Sequence, residues 1–234
     1  MPNERWTIKS ADGEFGAYVA KPEGQGPWPA IVVIQEIFGV NKVMRDTCDR
    51  LAADLGALCV CPDLFWRIEP GIDITDQSEA EWKQAFALYN AFDVDKGIED
   101  IAATIAQVRE SGLTNGKVGA VGFCLGGLLA FLTATRTDAD AAVGYYGVGV
   151  ENHLGEAERL HNPLMLHVAE EDGFCPKDAQ ARILASLGNH PCAQIYTYPG
   201  CDHAFARPGG QHFNAEAAAL ANSRTEAFFK KNLS

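Results

Sequence analysis

The segment 121–127 combines a thiol with a turn that could make it a nucleophile. Its sequence is Val-Gly-Phe-Cys-Leu-Gly-Gly, in which an apolar strand pattern runs into a Gly-x-Cys-x-Gly turn and then into an apolar helix. The glycines that flank Cys124 lack the Cβ atoms that would block close packing, so the pattern predicts a sharp, strained turn with the cysteine exposed. Free N–H groups at a helix N-terminus favour a thiolate and, later, an oxyanion. We therefore predict that Cys124 is a nucleophile.

A thiol nucleophile needs a base and a third group that orients the base. Turns of this kind occur with the chain order nucleophile, acid, histidine. Three acids, Glu170, Glu171 and Asp172, follow a predicted strand, and Asp172 is the best candidate because a glycine suited to a tight turn comes next. His203 lies in the loop after the last predicted strand. The sequence therefore predicts a triad of Cys124, His203 and Asp172, and solvated charges at the other two acids.

The oxyanion of such a reaction needs two backbone donors. We expect one from the N–H of Leu125, directly after the nucleophile, and one from Ile37 in the first strand-to-helix loop. Glu36 is an unusual neighbour, since its carboxylate would repel the developing charge. It could hydrogen-bond Cys124 and control the protonation of the thiol, or it could serve as a cap or in a salt bridge. The sequence alone leaves both roles open. No spacing of His and Cys resembles a metal site, so we predict no metal and no cofactor.

The elements that must position these residues alternate between strand and helix. Continuous apolar runs, typical of strands buried on both faces of a parallel sheet, are separated by helical periodicity. The predicted strands are 29–35, 57–61, 118–121, 141–145, 164–168 and 193–198, and the predicted helices are 41–55, 79–92, 93–111, 125–135, 176–187 and 214–230. A hairpin of 5–10 and 14–20 precedes them. This alternation predicts one α/β domain over residues 1–234, with a mostly parallel central sheet flanked by helices on both faces. The Gly-x-Cys-x-Gly turn after a strand is typical of the α/β-hydrolase fold.

Composition excludes several other classes of protein. The chain has 234 residues, of which 47% are hydrophobic and 21% charged, with a net charge of −12. That charge disfavours nucleic acid and anionic membranes as partners. Seven cysteines form no even framework, and we expect free thiols in a reducing compartment. The charged segment 1–9 lacks the apolar stretch of a signal peptide, so we expect a cytoplasmic protein. We also expect a monomer.

Six motifs occur in an order that resembles one known family. They are Gln-Glu-Ile-Phe-Gly-Val-Asn at 35–41, Cys-Pro-Asp-Leu at 61–64, Asn-Gly-Lys-Val-Gly at 115–119, Gly-Phe-Cys-Leu-Gly-Gly at 122–127, Gly-Tyr-Tyr-Gly-Val-Gly at 144–149 and His-Ala-Phe-Ala-Arg at 203–207. Together they closely resemble the dienelactone hydrolases (carboxymethylenebutenolidases) over essentially the whole chain. The resemblance implies a cysteine hydrolase of aromatic degradation that cleaves a small enol-lactone or activated ester through an acyl-enzyme.

The resemblance also implies a role for Glu36. In this family the glutamate interacts with a resting, neutral thiol. Substrate entry shifts the glutamate, which takes the proton, and the thiolate then attacks. Because the thiolate is the form that oxidises, a thiol that is switched on by substrate is protected at rest.

The family holds an anionic lactone with two arginines and a serine. The second arginine corresponds to Arg207, but Trp82 stands at the position of the first and Ala204 at that of the serine. Each lost charge-assisted contact weakens binding by roughly 1.5–3 kcal/mol. The pocket is therefore expected to be altered, with an alternative activity on less anionic, possibly aromatic, esters or thioesters.

The remaining candidates for substrate contact are aromatic. Trp82, Phe86 and Tyr89 could line the pocket or could equally be core residues of an amphipathic helix. Phe38 and Tyr145 lie in two of the family motifs and complete the predicted substrate contacts. A binding protein without catalysis is a further alternative, against which the complete triad counts.

Overall fold

A single eight-stranded sheet runs through the computed structural model, which describes residues 4–234. Residues 1–3, part of the segment on which the signal-peptide expectation rests, lie outside the described residues. The strands are β1 Glu4–Ser10, β2 Gly13–Ala20, β3 Trp28–Ile34, β4 Leu58–Pro62, β5 Thr114–Phe123, β6 Ala141–Tyr145, β7 Leu164–Ala169 and β8 Ala193–Tyr198. Their order is β1-β2-β4-β3-β5-β6-β7-β8. The predicted hairpin adds β1 and β2 antiparallel at one edge, and the other six strands are parallel.

Helices cover both faces of this sheet. They are α1 Lys42–Leu55, α2 Glu79–Ala91, α3 Val94–Glu110, α4 Leu125–Arg136, α5 Lys177–Leu187 and α6 Ala215–Asn232. Helix α1 packs against α6, and α3 packs against α4. The predicted α/β-hydrolase architecture is therefore confirmed, and most element ends differ from the prediction by only one or two residues. Within residues 4–234, no helix is both long and apolar enough to cross a membrane.

The apolar run in strand β3 is buried, as predicted for a strand with helices on both faces of the sheet. Residues 30–34 of β3 are completely or almost completely buried, as expected for a strand covered on both faces. Strand β5 begins four residues earlier than predicted, because Thr114 pairs with Trp28 across an irregularity in the β3 register. The polar start of β5 lacks the apolar signal that marks the rest of the strand.

Parallel orientation brings the predicted functional residues to one edge of the sheet. Glu36, Cys124, Asp172 and His203 each follow the end of a strand, namely β3, β5, β7 and β8. Because the carboxyl ends of parallel strands share an edge, these four loops meet there.

Candidate active site

Cys124 occupies a strained turn between β5 and α4. Its backbone has φ 57° and ψ −116°, a conformation that L-residues rarely adopt. A Cβ atom on Gly122 would overlap the carbonyl oxygen of Gly126, and one on Gly126 would lie 2.5 Å from the oxygen of Ile34. The predicted reason for the flanking glycines is thus confirmed. The thiol is less open than expected, since Cys124 is 8% exposed and faces a cavity.

The predicted acid and histidine lie together. Nδ1 of His203 is 3.0 Å from Oδ2 and 3.1 Å from Oδ1 of Asp172. The Asp172 carboxylate is itself fixed, because Oδ1 accepts the backbone N–H groups of Phe174 and Cys175 at 2.8 and 3.2 Å. Asp172 is buried, whereas the neighbouring Glu171 is exposed. The geometry therefore suits the choice of Asp172 as the residue that orients the imidazole.

Two loops hold the His203 ring in place. Oδ1 of Asp202 accepts the N–H of His203 at 2.6 Å and that of Gly173 at 3.2 Å, so one carboxylate ties the loop after β8 to the loop after β7. The ring itself packs edge-on against Tyr146 and Phe174, with centroids 5.1 and 4.8 Å apart. These contacts leave the imidazole little freedom to rotate away from Asp172.

The pKa of His203 is strongly perturbed. Burial alone would lower it, but the negative charge of Cys124 and the hydrogen bond to Asp172 outweigh burial and raise the pKa to about 10. The thiol and the imidazole both line the same cavity. A protonated imidazole in the cavity would stabilise a thiolate once one forms, and the thiolate is the form in which a cysteine attacks a carbonyl.

Of the two expected oxyanion donors, Ile37 lines this cavity and Leu125 directly follows the cavity residue Cys124. Leu125 is the first residue of α4 and Ile37 lies in the loop after β3. Among residues 4–234, neither N–H donates a backbone or side-chain hydrogen bond. The first N–H groups of a helix have no partner within it, so an anion at this point would satisfy donors that are otherwise free.

Glu36 does not hydrogen-bond Cys124 in this structure. Its Oε2 lies 3.0 Å from Nε of Arg207, and both side chains are buried. Among the described residues neither oxygen of Glu36 has a hydrogen-bond partner, so charge attraction alone links it to the arginine. Of the two roles that the sequence left open, the salt bridge is the one observed. The partner is the arginine predicted to bind substrate.

A small cavity of about 60 Å³, partly open to solvent and lined largely by aromatic side chains, adjoins the thiol. Its lining residues are Ile37, Phe38, Trp82, Phe86, Tyr89, Cys124, Val148, Phe174, His203 and Arg207. The positions 82, 86 and 89 recur at helical spacing, and α2 turns this face toward the cavity. Phe86 and Phe174 at the mouth are 41% and 47% exposed, which is unusual for large apolar side chains and typical of a binding surface.

One predicted substrate contact is wrong. Tyr145 is fully buried away from the cavity, where its hydroxyl meets Thr225 at 2.6 Å and Asn222 at 3.1 Å on α6. The next residue, Tyr146, lies just past the end of β6 with φ 37°, and it is the one that packs against His203. The motif therefore contributes to the site through Tyr146, not through the predicted Tyr145.

Four residues near the site were missed by the sequence. Phe174 and Val148 line the cavity, and Tyr146 supports the histidine. Asp76 accepts a hydrogen bond from Nη1 of Arg207 at 2.7 Å. Phe174 could have been found, because it stands two residues after the predicted acid. Asp76 lies in the irregular segment between β4 and α2, where no pattern distinguishes it from a solvated charge.

Comparison with known proteins agrees with this geometry. The family model described as "Dienelactone hydrolase family" matches residues 15–233. The chain belongs to the dienelactone hydrolase family. It is 52% identical over 223 residues to a "Putative carboxymethylenebutenolidase" of Azospirillum brasilense, with 95% of each chain covered. It is 44% identical over 225 residues to a carboxymethylenebutenolidase of Pseudomonas putida, with 96% of this chain and 94% of that one covered.

The fold of this dienelactone hydrolase family member is also found in a solved structure. The Klebsiella pneumoniae protein described as "Putative Dienelactone Hydrolase" superimposes with a TM-score of 0.85 at 27% identity, covering 97% of this chain and 98% of that one. Family membership makes the chain a hydrolase of the ester and lactone class.

Proposed function

We propose that this hydrolase cleaves small enol-lactones or activated esters through an acyl-enzyme on Cys124. The observation that carries the proposal is the arrangement of three groups at one edge of the sheet: a thiol on a strained turn, an imidazole in the same cavity, and a buried carboxylate 3.0 Å from the imidazole. A positioned base and an orienting acid are what a thiol needs to act as a nucleophile.

Acylation begins with attack of the Cys124 thiolate on the carbonyl carbon. The carbonyl π electrons move to oxygen, and the oxyanion accepts the N–H groups of Ile37 and Leu125. Collapse of the tetrahedral intermediate breaks the carbon–oxygen bond of the ester. The leaving alkoxide or enolate takes a proton from the His203 imidazolium, which leaves a neutral imidazole and a thioester.

Deacylation uses the neutral imidazole as a base. A water molecule loses a proton to His203 as its oxygen attacks the thioester carbon, and the thiolate of Cys124 is expelled with the electron pair of the carbon–sulfur bond. A thioester carries no charge, so acylation removes one of the contributions that raise the pKa of His203. The imidazole is therefore a proton donor when acylation requires an acid and a proton acceptor when deacylation requires a base.

Glu36 is proposed to control the protonation of Cys124. Both of its oxygens are buried and hold no hydrogen bond to any residue in 4–234, and one is held by charge attraction to Arg207. Entry of a substrate into the cavity shifts the glutamate away from this pair, and the carboxylate then takes the proton of the resting thiol. When the product leaves, Glu36 returns this proton to the thiolate, so the thiol is nucleophilic only while a substrate is present.

A second candidate function is the hydrolysis of neutral aromatic esters. It is favoured by the cavity wall, in which Trp82 stacks on Phe86 at 5.5 Å and meets Phe38 edge-on at 5.2 Å. Lys83, which could have replaced a missing arginine, is exposed and does not line the cavity. A comparison of kcat/KM for a dienelactone and for p-nitrophenyl acetate separates the two. Preference for the neutral ester, unimproved by the double variant Trp82→Arg/Ala204→Ser, supports the second function.

The acyl-enzyme itself is tested by trapping. Acid quenching of the protein during turnover of p-nitrophenyl acetate, followed by peptide mass spectrometry, is expected to find an acetyl group on Cys124. Cys124→Ala is expected to abolish turnover, and Asp172→Asn to reduce it by about 10³–10⁴-fold. Cys175→Ala, which removes another buried thiol beside Asp172, serves as the matched control. Full activity of Cys124→Ala would contradict the proposal.

A further inference from the structure

Arg207 holds two carboxylates instead of one. Its Nε lies 3.0 Å from Oε2 of Glu36, and its Nη1 donates to Oδ2 of Asp76 at 2.7 Å. The arginine is buried, and the Asp76 side chain is only 12% exposed. One positive charge therefore faces two negative charges at the wall of the cavity that contains Cys124. The other lining residues, apart from Cys124 and His203, are apolar or aromatic, so this cavity offers an incoming anion no unpaired cation.

The position of Asp76 is determined by the loop that carries Glu36 and Ile37. The N–H of Ile74 donates to the oxygen of Phe38 at 3.2 Å, and Nδ2 of Asn41 donates to the oxygen of Ile74 at 2.9 Å. Gly39, at φ 76°, allows the closest approach, since a Cβ atom there would overlap the carbonyl of Ile72. The segment before Asp76 is thus packed directly on the loop after β3.

Helix α2 fixes Asp76 from the other side. Nε1 of Trp82 donates to the carbonyl oxygen of Asp76 at 3.0 Å. The helix is capped by Ser78, whose Oγ accepts the N–H of Glu81. The Glu81 carboxylate in turn accepts hydrogen bonds from the Ser78 hydroxyl and from the N–H of Thr75. The tryptophan that lines the cavity therefore also holds the backbone of the aspartate that pairs with Arg207.

We propose that Asp76 is a specificity-determining residue that occupies Arg207 as an internal carboxylate and so selects substrates with an uncharged aromatic group over substrates with a carboxylate. This inference rests on the proposed hydrolase function. A substrate carboxylate that reaches Arg207 must displace Asp76 or share the guanidinium with two anions. Juxtaposed like charges are a common way of rejecting the wrong ligand. An uncharged aromatic ring meets no such repulsion and packs against Trp82, Phe86 and Phe174.

The arginine remains charged in this arrangement. Burial alone would lower its pKa, but the charges of Glu36, Tyr146, Asp76 and Cys124 outweigh burial and raise it. Removal of the Asp76 charge consequently leaves a protonated guanidinium that faces one carboxylate instead of two. That group can then bind a substrate carboxylate, which is the physical basis of the test.

The test compares two esters of nearly the same shape, 4-acetoxybenzoate and 4-acetoxybenzamide. Asp76→Asn is expected to raise the ratio of kcat/KM for the anionic ester to that for the neutral ester by at least about tenfold relative to the natural chain. Because the ratio is compared between variants, the different leaving groups cancel. Asp73→Asn is the matched control, since this residue lies in the same segment but is half exposed and pairs with Arg45. In Asp73→Asn the ratio of the two kcat/KM values is expected to change by less than about twofold.

A binding measurement separates this inference from the proposed function. In the Cys124→Ala background, which allows no turnover through the thiol, Asp76→Asn is expected to bind benzoate at least about tenfold more tightly by calorimetry and benzamide with unchanged affinity. If no variant hydrolyses either ester, the proposed function fails while the binding result still tests Asp76. An unchanged benzoate affinity, or an equal gain in Asp73→Asn, would overturn the inference. Asp76→Ser, which removes the charge but keeps a hydroxyl, replaces Asp76→Asn if that variant does not fold.

Discussion

Nε of Arg207 lies 3.0 Å from Oε2 of Glu36 in a buried ion pair whose two partners are unequally supported. Arg207 has a second anion in Asp76, whereas neither oxygen of Glu36 holds a hydrogen bond within residues 4–234. Loss of the arginine therefore leaves a buried carboxylate without compensation, but loss of the glutamate leaves the arginine with one partner.

This asymmetry predicts unequal effects in a double-mutant cycle. Arg207→Met is expected to lower the free energy of unfolding by about 3–5 kcal/mol, because it leaves Glu36 charged and alone. Glu36→Gln is expected to cost only about 1–2 kcal/mol. The double variant should be more stable than Arg207→Met by urea unfolding. Equal costs of the two single variants, with simple additivity, would show that the pair is not coupled in this way.

The raised pKa of His203 is expected to depend on Cys124. Removal of the sulfur in Cys124→Ala, or its alkylation with iodoacetamide, should lower the imidazole pKa from about 10, as followed by NMR of a labelled ring. Cys201→Ala, which removes a buried thiol two residues before the histidine, should leave it unchanged. The pKa of His203 in the folded protein exceeds the ordinary histidine value of 6.5, so protonation of the ring stabilises the fold. This stabilisation is fully present below pH 6.5 and is lost as the pH rises through about 10. An unshifted pKa in Cys124→Ala would contradict the assignment.

The pKa of a second histidine, His167, is shifted in the opposite direction, so its effect on stability is lost at low pH instead of high pH. His167 is buried, with its Nδ1 2.7 Å from the Tyr198 hydroxyl and its Nε2 2.9 Å from the Thr225 hydroxyl. Burial, with a smaller effect of the Arg224 charge, lowers the pKa of His167 to about 3. The pKa in the folded protein lies below the ordinary 6.5, so the unfolded chain binds a proton first as the pH falls. The free energy of unfolding should therefore decrease by up to about 1.4 kcal/mol for each pH unit as the pH is lowered from 6.5 to 3.

The His167 contribution is measured by urea unfolding at several pH values. His167→Gln, which keeps an amide donor and acceptor without a titrating group, should flatten the curve in this window. The exposed His161 provides the control His161→Gln, which should retain the slope. A slope shared by all three proteins would assign the acid sensitivity to other groups.

The glycine at 122 is expected to be indispensable for the turn. Gly122→Ala would bring a methyl group into the carbonyl of Gly126, and the rigid backbone at that point gives way only at a cost of about 3 kcal/mol or more. Gly155→Ala, where a Cβ atom meets nothing within 4 Å, should change stability by less than about 1 kcal/mol. Thermal unfolding of both variants, with thiol titration of Cys124, measures the difference. Normal stability of Gly122→Ala would show that the turn has more room than its geometry indicates.

The catalytic candidates were predictable because each has a local signal. Cys124 lies in a glycine-flanked turn, and Asp172 and His203 follow apolar strands in the expected chain order. Parallel strands place their carboxyl ends at one edge whatever the loop details, so strand order and chain order suffice to bring these residues together. Their roles remain proposals that the trapping and titration experiments test.

The sequence by itself determined the α/β class, the sheet and the positions of the candidate nucleophile, acid and base, because those depend on periodicity and on strand ends. Only the tertiary structure decided which of two adjacent tyrosines supports His203, since Tyr145 is the last residue of β6 and Tyr146 turns away from the strand at φ 37°. Only the tertiary structure also paired Arg207 with Glu36 and Asp76. These charges are far apart along the chain and come from loops without periodicity, so only their packing shows which of them meet.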